Sequence, residues 1–234
     1  MKIGIIGAME AEIELLKVDL ELAEVLEKAG MKFYTGTLQN KEVVLVKSGI
    51  GKVNAALCAQ ILIDHFQVAR VIFTGVAGAV DAQLEVGDIV ISADAVQHDL
   101  DATAIGHELG EVPNLDKTVF KADDELIAAA KTASEKLAKE DGLKVITGRV
   151  LSGDQFIAER EKVEWLRETF AGHCAEMEGA AVGQTCFLNE TPFVIIRSMS
   201  DKADGGAEVD YPTFMKQVAK HSAQIVKEML GQHL

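Results

Sequence analysis

Short aliphatic and β-branched runs recur along this chain and alternate with longer stretches of helical periodicity. This alternation limits the fold more than any other feature. Runs at residues 2–6, 42–47, 70–74, 88–93, 145–151 and 193–199 predict strands. Several are apolar at successive positions, which requires cover on both faces of a sheet. Between them the spacing predicts helices over 10–29, 53–66, 123–139, 159–170, 177–188 and 211–230. The expected architecture is α/β: a single domain over residues 1–234 in three layers, with a central mixed, largely parallel sheet flanked by helices. A chain of 234 residues that is 48% hydrophobic, with 3 prolines and no repeat, can bury one core of that kind.

Charge and cysteine usage remove several classes of function. A formal net charge of -14 repels the phosphates of nucleic acid and of an anionic membrane surface, so neither is an expected partner. Cys58, Cys174 and Cys186 are odd in number and form no Cys-x-x-Cys pair, which reads as reduced, buried thiols in a cytoplasmic protein. The apolar start, Met1 to Gly7, is too short for a secretory signal and gives way to Glu10, Glu12 and Glu14. No stretch is long and apolar enough to span a bilayer, so a cytoplasmic location is expected.

In open α/β sheets, ligands bind beyond the carboxyl ends of the strands. Those junctions are here rich in glycine and acids: Gly7-Ala8-Met9, Ser48-Gly49-Ile50-Gly51, Thr74-Gly75-Val76-Ala77-Gly78, Ser152-Gly153-Asp154 and Ser200-Asp201. Gly49-Ile50-Gly51 is a weak dinucleotide fingerprint, because Asn54 takes the third glycine position. Gly51-Lys52 is no phosphate loop, because Val53 replaces the required Ser or Thr. The turn is expected to serve close strand-helix packing. His98, Asp99 and Asp101 supply too few ligands for a metal, so the segment reads as a loop that packs or closes over a site.

Glu176 and Glu178 flank Met177 at a junction followed by small residues. The helix dipole explains acids at such a place about as well as function does. Arg197 shifts the balance, since a guanidinium late in a buried apolar strand requires an anion or a ligand. Asp201 fits two roles, a helix cap or, with Ser200, a contact to a heterocycle at the sheet edge.

Six motifs in one order now stand together: Gly7-Ala8-Met9-Glu10-x-Glu12, Ser48-Gly49-Ile50-Gly51-Lys52-Val53-Asn54, Thr74-Gly75-Val76-Ala77-Gly78, Ser152-Gly153-Asp154-Gln155-Phe156-Ile157, Glu176-Met177-Glu178 and Arg197-x-x-Ser200-Asp201. The chain resembles the bacterial 5′-methylthioadenosine/S-adenosylhomocysteine nucleosidases, of the purine nucleoside phosphorylase-like superfamily, collinearly from Met1 to the last helix. The resemblance implies a cofactor-free and metal-free homodimer whose subunits complete each other's sites around an adenine nucleoside. It implies that Asp201 is the general acid at adenine N7, held by Ser200, and that Glu12 is the general base that activates water. Glu178 would bind the ribose hydroxyls and Met177 would pack on the sugar. Arg197 would orient the water and the ribose-side acids, Glu176 among them. Phe156 would stack on adenine, and the Ile157 backbone would read its Watson–Crick edge. Met9, Ile50 and Tyr211 would line the 5′-thio pocket, with Ile105, His107 and Pro113 arriving from the partner subunit. Val76 stands where many members carry a serine close to ribose and water. Ile105, His107 and Leu109 stand where aromatic residues are common.

The implied reaction is hydrolysis of the N-glycosidic bond of 5′-methylthioadenosine, S-adenosylhomocysteine and 5′-deoxyadenosine, in methionine salvage and recycling of S-adenosylmethionine by-products. Adenine is a poor leaving group, so an acid must neutralise charge developing on the ring, while carboxylates and a polarizable Met suit an oxocarbenium-like sugar. Two rivals remain: a phosphate-dependent phosphorylase of the same superfamily and a non-catalytic nucleoside-binding protein. The first strand-to-helix junction carries Glu10 and Glu12, and no arginine precedes Arg70, which disfavours phosphate. The intact set of Glu12, Glu178 and Asp201 disfavours a mere binder.

Overall fold

Strand β1 (Ile3–Gly7) shows how the layers arise. Side chains alternate along it, so Ile3 and Ile5 enter one apolar cluster and Ile6 enters another. β4 (Lys41–Lys47) and β10 (Phe193–Asp201) divide in the same way. Val43, Leu45, Val194 and Ile196 join the first cluster, and Val44, Val46, Phe193 and Ile195 the second. α1 (Glu10–Val18), α3 (Asp124–Asp141) and α6 (Ala207–Gln232) cover the first face through side chains such as Leu16, Leu126 and Val226. α2 (Lys52–Asp64) and α5 (Gly179–Leu188) cover the second through Cys58, Leu62 and Val182. α4 (Arg160–Phe170) closes a smaller cluster with Val163 and Leu166. Each aliphatic side chain buried in this way contributes about 1.5–3 kcal/mol. The three-layer α/β arrangement expected from the alternation is the one observed.

This computed structural model describes residues 1–115, 117–202, 207–232 and 234, with the side chains at 207–213, 216–218 and 232 outside the description. The other strands are β2 (Glu21–Lys28), β3 (Met31–Leu38), β5 (Arg70–Ala79), β6 (Ile89–Gln97), β7 (Phe120–Lys121), β8 (Val145–Ser152) and β9 (Cys174–Glu176). They form one sheet in the order β10-β6-β8-β9-β5-β1-β4-β3-β2, with β7 on β6. The sheet is mixed. Parallel pairings run β4-β1-β5-β10 and β6-β8-β9, and the remaining pairings are antiparallel. Because β10 also pairs with β5, the strands β5, β10, β6, β8 and β9 close into a ring. Closure draws strand ends that would be remote in a flat sheet toward one cavity.

Residues 10–29 are not one helix. α1 stops at Val18, and β2 then pairs antiparallel with β3, which the apolar pattern alone does not separate as a strand. The Glu, Leu and Ala residues of β2 have high helix propensity. Ala29 and Gly30, at φ 51° and 74°, instead make a two-residue hairpin turn that brings Lys28 opposite Met31. Two of the glycine-rich junctions also belong to strands rather than to loops after them. β5 continues through Gly75 to Ala79 and β10 through Ser200 to Asp201, because each supplies the other's ladder partners. α5 begins at Gly179, two residues after the expected start.

Candidate active site

A cavity of about 370 Å³ opens at the carboxyl ends of β1, β4, β5, β8, β9 and β10. Its wall includes Met9, Glu12, Ile50, Val76, Phe156, Ile157, Glu176, Met177, Glu178, Ser200 and Asp201, all singled out from sequence. Ala8, Ala77, Gly78, Gln155 and Ala175 also line it and were not singled out as binding residues. The alanines and the glycine carry no chemical signal, so only the fold places them there, and Gln155 comes with the loop that carries Phe156.

Glu12 sits on the first turn of α1, which turns its carboxylate back toward the end of β1. Oε2 accepts from the backbone N–H groups of Ala8 and Met9, at 2.6 and 2.9 Å, and Oε1 accepts from the Val76 N–H at 3.0 Å. Burial raises the proton affinity of this carboxyl, against the opposing pull of Arg197 and the three amides. The carboxylate fits because position 75 is glycine. A Cβ there would stand 2.4 Å from Glu12 Oε1. Val76 contributes a backbone donor to Glu12.

Arg197 is 1% exposed, and its guanidinium lies 4.0 Å from the centre of the Phe73 ring. Its Nη2 donates to Glu176 Oε2 at 2.7 Å, so the anion that the sequence demanded is Glu176. Glu176 Oε1 also accepts from the Ser152 hydroxyl, and both its oxygens accept from the Gly179 N–H at the start of α5. Its oxygens are therefore engaged by protein donors. Glu178 differs: Oε1 accepts from the Gly51 N–H at 2.7 Å, and burial, reinforced by the neighbouring Glu176, pushes its carboxyl up to about 8. One guanidinium facing several carboxyl groups leaves one of them holding a proton near neutral pH. The Gly49-to-Gly51 turn, expected only to aid packing, is thus part of the site, and φ of 86° and 98° at its two glycines aims the Gly51 amide at Glu178.

Ser200 and Asp201 are consecutive in β10, where regular pleating would send them to opposite faces. A bulge between Met199 and Asp201 shifts the register, and both line the cavity. The Ser200 hydroxyl donates to Asp201 Oδ2 at 2.7 Å, and Asp201 is 2% exposed. Across the cavity, Phe156 is half exposed on the loop after β8, with Ile157 buried beside it.

Among the described residues, Ile105, His107 and Pro113, predicted from sequence, are not part of this wall. Ile105 is 74% exposed on a 3-10 turn (Thr103–Ile105), and His107 is bound through Nδ1 to Glu111 at 2.8 Å. Neither these two nor Pro113 lines the cavity of their own chain. Tyr211 lies on α6, with its side chain outside the described residues. Burial pushes all three cysteine thiols up, which fits packing roles. Among the described residues, no group of three His, Cys, Asp or Glu is disposed to hold a metal, and no helix is long and apolar enough to cross a membrane.

The fold is that of the phosphorylase superfamily, whose family model matches residues 2–231. Within that class the similarity narrows. A 5′-methylthioadenosine/S-adenosylhomocysteine nucleosidase of Colwellia psychrerythraea is 46% identical over 235 residues, covering 99% of this chain and 96% of that protein. One from Geobacillus kaustophilus is 46% identical over 99% of this chain and 97% of its own length. The crystal structure of the Colwellia nucleosidase in complex with adenine matches with a TM-score of 0.94, covering 100% of this chain and 96% of that one. The Neisseria meningitidis nucleosidase in complex with methylthio-immucillin-A matches with a TM-score of 0.93 at 42% identity, covering 98% of each. The chain belongs to this family of 5′-methylthioadenosine/S-adenosylhomocysteine nucleosidases.

Proposed function

We propose that this cavity hydrolyses the N-glycosidic bond of 5′-methylthioadenosine and S-adenosylhomocysteine, releasing adenine and the 5-thio-substituted ribose. 5′-Deoxyadenosine is a further substrate. One observation carries the choice of water over phosphate: Glu12, a carboxylate on the cavity wall held by three backbone amides, shares that wall with Glu176, Glu178 and Asp201. A phosphate dianion would meet carboxyl groups there, whereas a water molecule would meet a base.

In the reaction the water oxygen bonds to C1′ as the C1′–N9 bond breaks. Glu12 takes the water proton, and Asp201 gives a proton to adenine N7, so the base leaves neutral. The Ser200 hydroxyl donates to Asp201 Oδ2 on the cavity wall, which supports this assignment. Glu178 binds the ribose hydroxyls beside Met177, and Arg197 fixes Glu176 behind them. Phe156 stacks on adenine, and the Ile157 backbone reads its edge. Met9, Ile50 and Tyr211 hold the 5′ substituent.

Ile105, His107 and Pro113 reach the cavity of a second subunit in a homodimer. The exposed apolar side chains of Ile105, Val53 and Leu57 support that assembly. The deciding assay measures adenine release from 5′-methylthioadenosine in phosphate-free buffer containing a chelator. Strict dependence on phosphate, with methylthioribose 1-phosphate as product, overturns hydrolysis. No turnover under either condition would leave a nucleoside-binding protein. Sedimentation at micromolar concentration reads the dimer.

A further inference from the structure

Outside the cavity wall, three charged residues from three different strand ends bind one another. Asp99, after β6, accepts through Oδ1 from Lys52 Nζ at 2.6 Å and through Oδ2 from the Asp154 backbone N–H at 2.9 Å. Asp154, after β8, accepts through Oδ1 from the Lys52 backbone N–H at 2.8 Å. The triangle ties the turn carrying Ile50 to the loop carrying Phe156. Both of those side chains line the cavity, and Lys52, Asp99 and Asp154 stand behind it.

Ile50 and Phe156 are 54% and 52% exposed, so core packing does less to place them than it does for the buried wall. The loop also rests on His98, which is 1% exposed. A Cβ on Gly153 would stand 2.4 Å from its Nε2. Neither ring nitrogen of His98 has a hydrogen-bond partner among the described residues, and burial favours the neutral imidazole. The ring supplies a floor, and the charged triangle supplies the tether. The Lys52 and Asp99 side chains are 19% and 20% exposed, so this ion pair is less screened than a surface one.

We propose that Asp99 is a positioning residue: by binding Lys52 and Asp154 together it sets the spacing of Ile50 and Phe156 across the cavity mouth. It thereby governs how tightly the adenine nucleoside is held, without entering the bond-breaking step. This deepens the nucleosidase reading above and rests on it. Contacts from Ile50 and Phe156 persist from ground state to transition state, so weakening them acts on KM rather than kcat.

The test measures kcat and KM for 5′-methylthioadenosine in Asp99→Ala, Lys52→Met, the double variant and Lys52→Arg. KM is expected to rise about three- to tenfold in Asp99→Ala and Lys52→Met, with kcat changed less than about twofold. The double variant is expected to be no worse than Asp99→Ala, because the two side chains act as one unit, and Lys52→Arg is expected to restore most of the loss. An unchanged KM in Asp99→Ala, a loss in kcat larger than the change in KM, or additive single effects overturns the proposal. If the wild-type protein turns over no nucleoside, the functional reading fails on its own, and calorimetric binding of adenine decides the tether. Weaker adenine binding by Asp99→Ala upholds it; equal binding, or none by the wild type, overturns it.

Discussion

Arg197 Nη2 donates to Glu176 Oε2 across 2.7 Å, in an ion pair whose side chains are 2% and 3% exposed. The buried cation is thereby bound to the acid whose oxygens are engaged by the protein. Glu12 and Glu178, which also face the cavity, receive only its longer-range attraction. That division keeps two carboxyl groups of raised proton affinity at the site.

Glu176→Gln removes the anion and leaves the guanidinium buried. Unfolding in urea is expected to show a loss of about 3 kcal/mol, the scale for breaking one partner of a buried pair. A loss below about 1 kcal/mol would mean that Arg197 is neutralised elsewhere.

Glu178 makes stability depend on pH. In the unfolded chain its carboxyl ionises near 4.5, while the folded protein keeps it protonated up to about 8. Between those values the folded state binds the extra proton, so this group's contribution falls as pH rises through the window and levels off above it. Glu178→Gln is expected to flatten that slope in urea titrations taken at several pH values. An unchanged slope places the proton on another group.

Asp201→Asn keeps the shape of the side chain and removes the carboxyl group proposed as the acid. Turnover of 5′-methylthioadenosine is expected to fall about 10²- to 10⁴-fold while the thermal transition stays in place. Glu12→Gln is expected to lose turnover on the same scale. It also loses about 1–3 kcal/mol of stability, because its NH₂ must face a backbone N–H that the carboxylate accepted. Near-normal single-turnover rates in either variant would remove that residue from the chemistry.

Gly75→Ala puts a methyl group 2.4 Å from Glu12 Oε1 and 2.8 Å from its carboxyl carbon. Turnover is expected to fall at least about tenfold, since a displacement of about 1 Å in a catalytic group costs up to about 10²-fold. Retained activity would show that Glu12 tolerates movement and that its three amides do not fix it.

The acids were legible because six motifs in one order carried the family resemblance that gave them their roles. Asp201, Glu12 and Glu178 stand at strand-end junctions, and a guanidinium such as Arg197 inside an apolar strand demands an anion close by. Their amide partners were not legible. Ala8, Met9 and Val76 serve Glu12 through backbone N–H groups, which every residue except proline possesses. The Lys52–Asp99–Asp154 triangle joins residues separated by 47, 55 and 102 positions, and no spacing rule links them.

By itself the sequence determined the α/β layering, through the alternation of apolar runs with helical patterns, and the residue types that line the cleft. Tertiary structure alone decided that 21–28 is a strand, because hairpin pairing with 31–38 outweighs its helix propensity. It decided that β10 also pairs with β5, closing strands into a ring, and that a bulge turns Ser200 and Asp201 into the same cavity. Propensity and periodicity act over a few neighbouring residues, whereas strand pairing and the sharing of buried charge are settled between segments that meet only when the chain has folded.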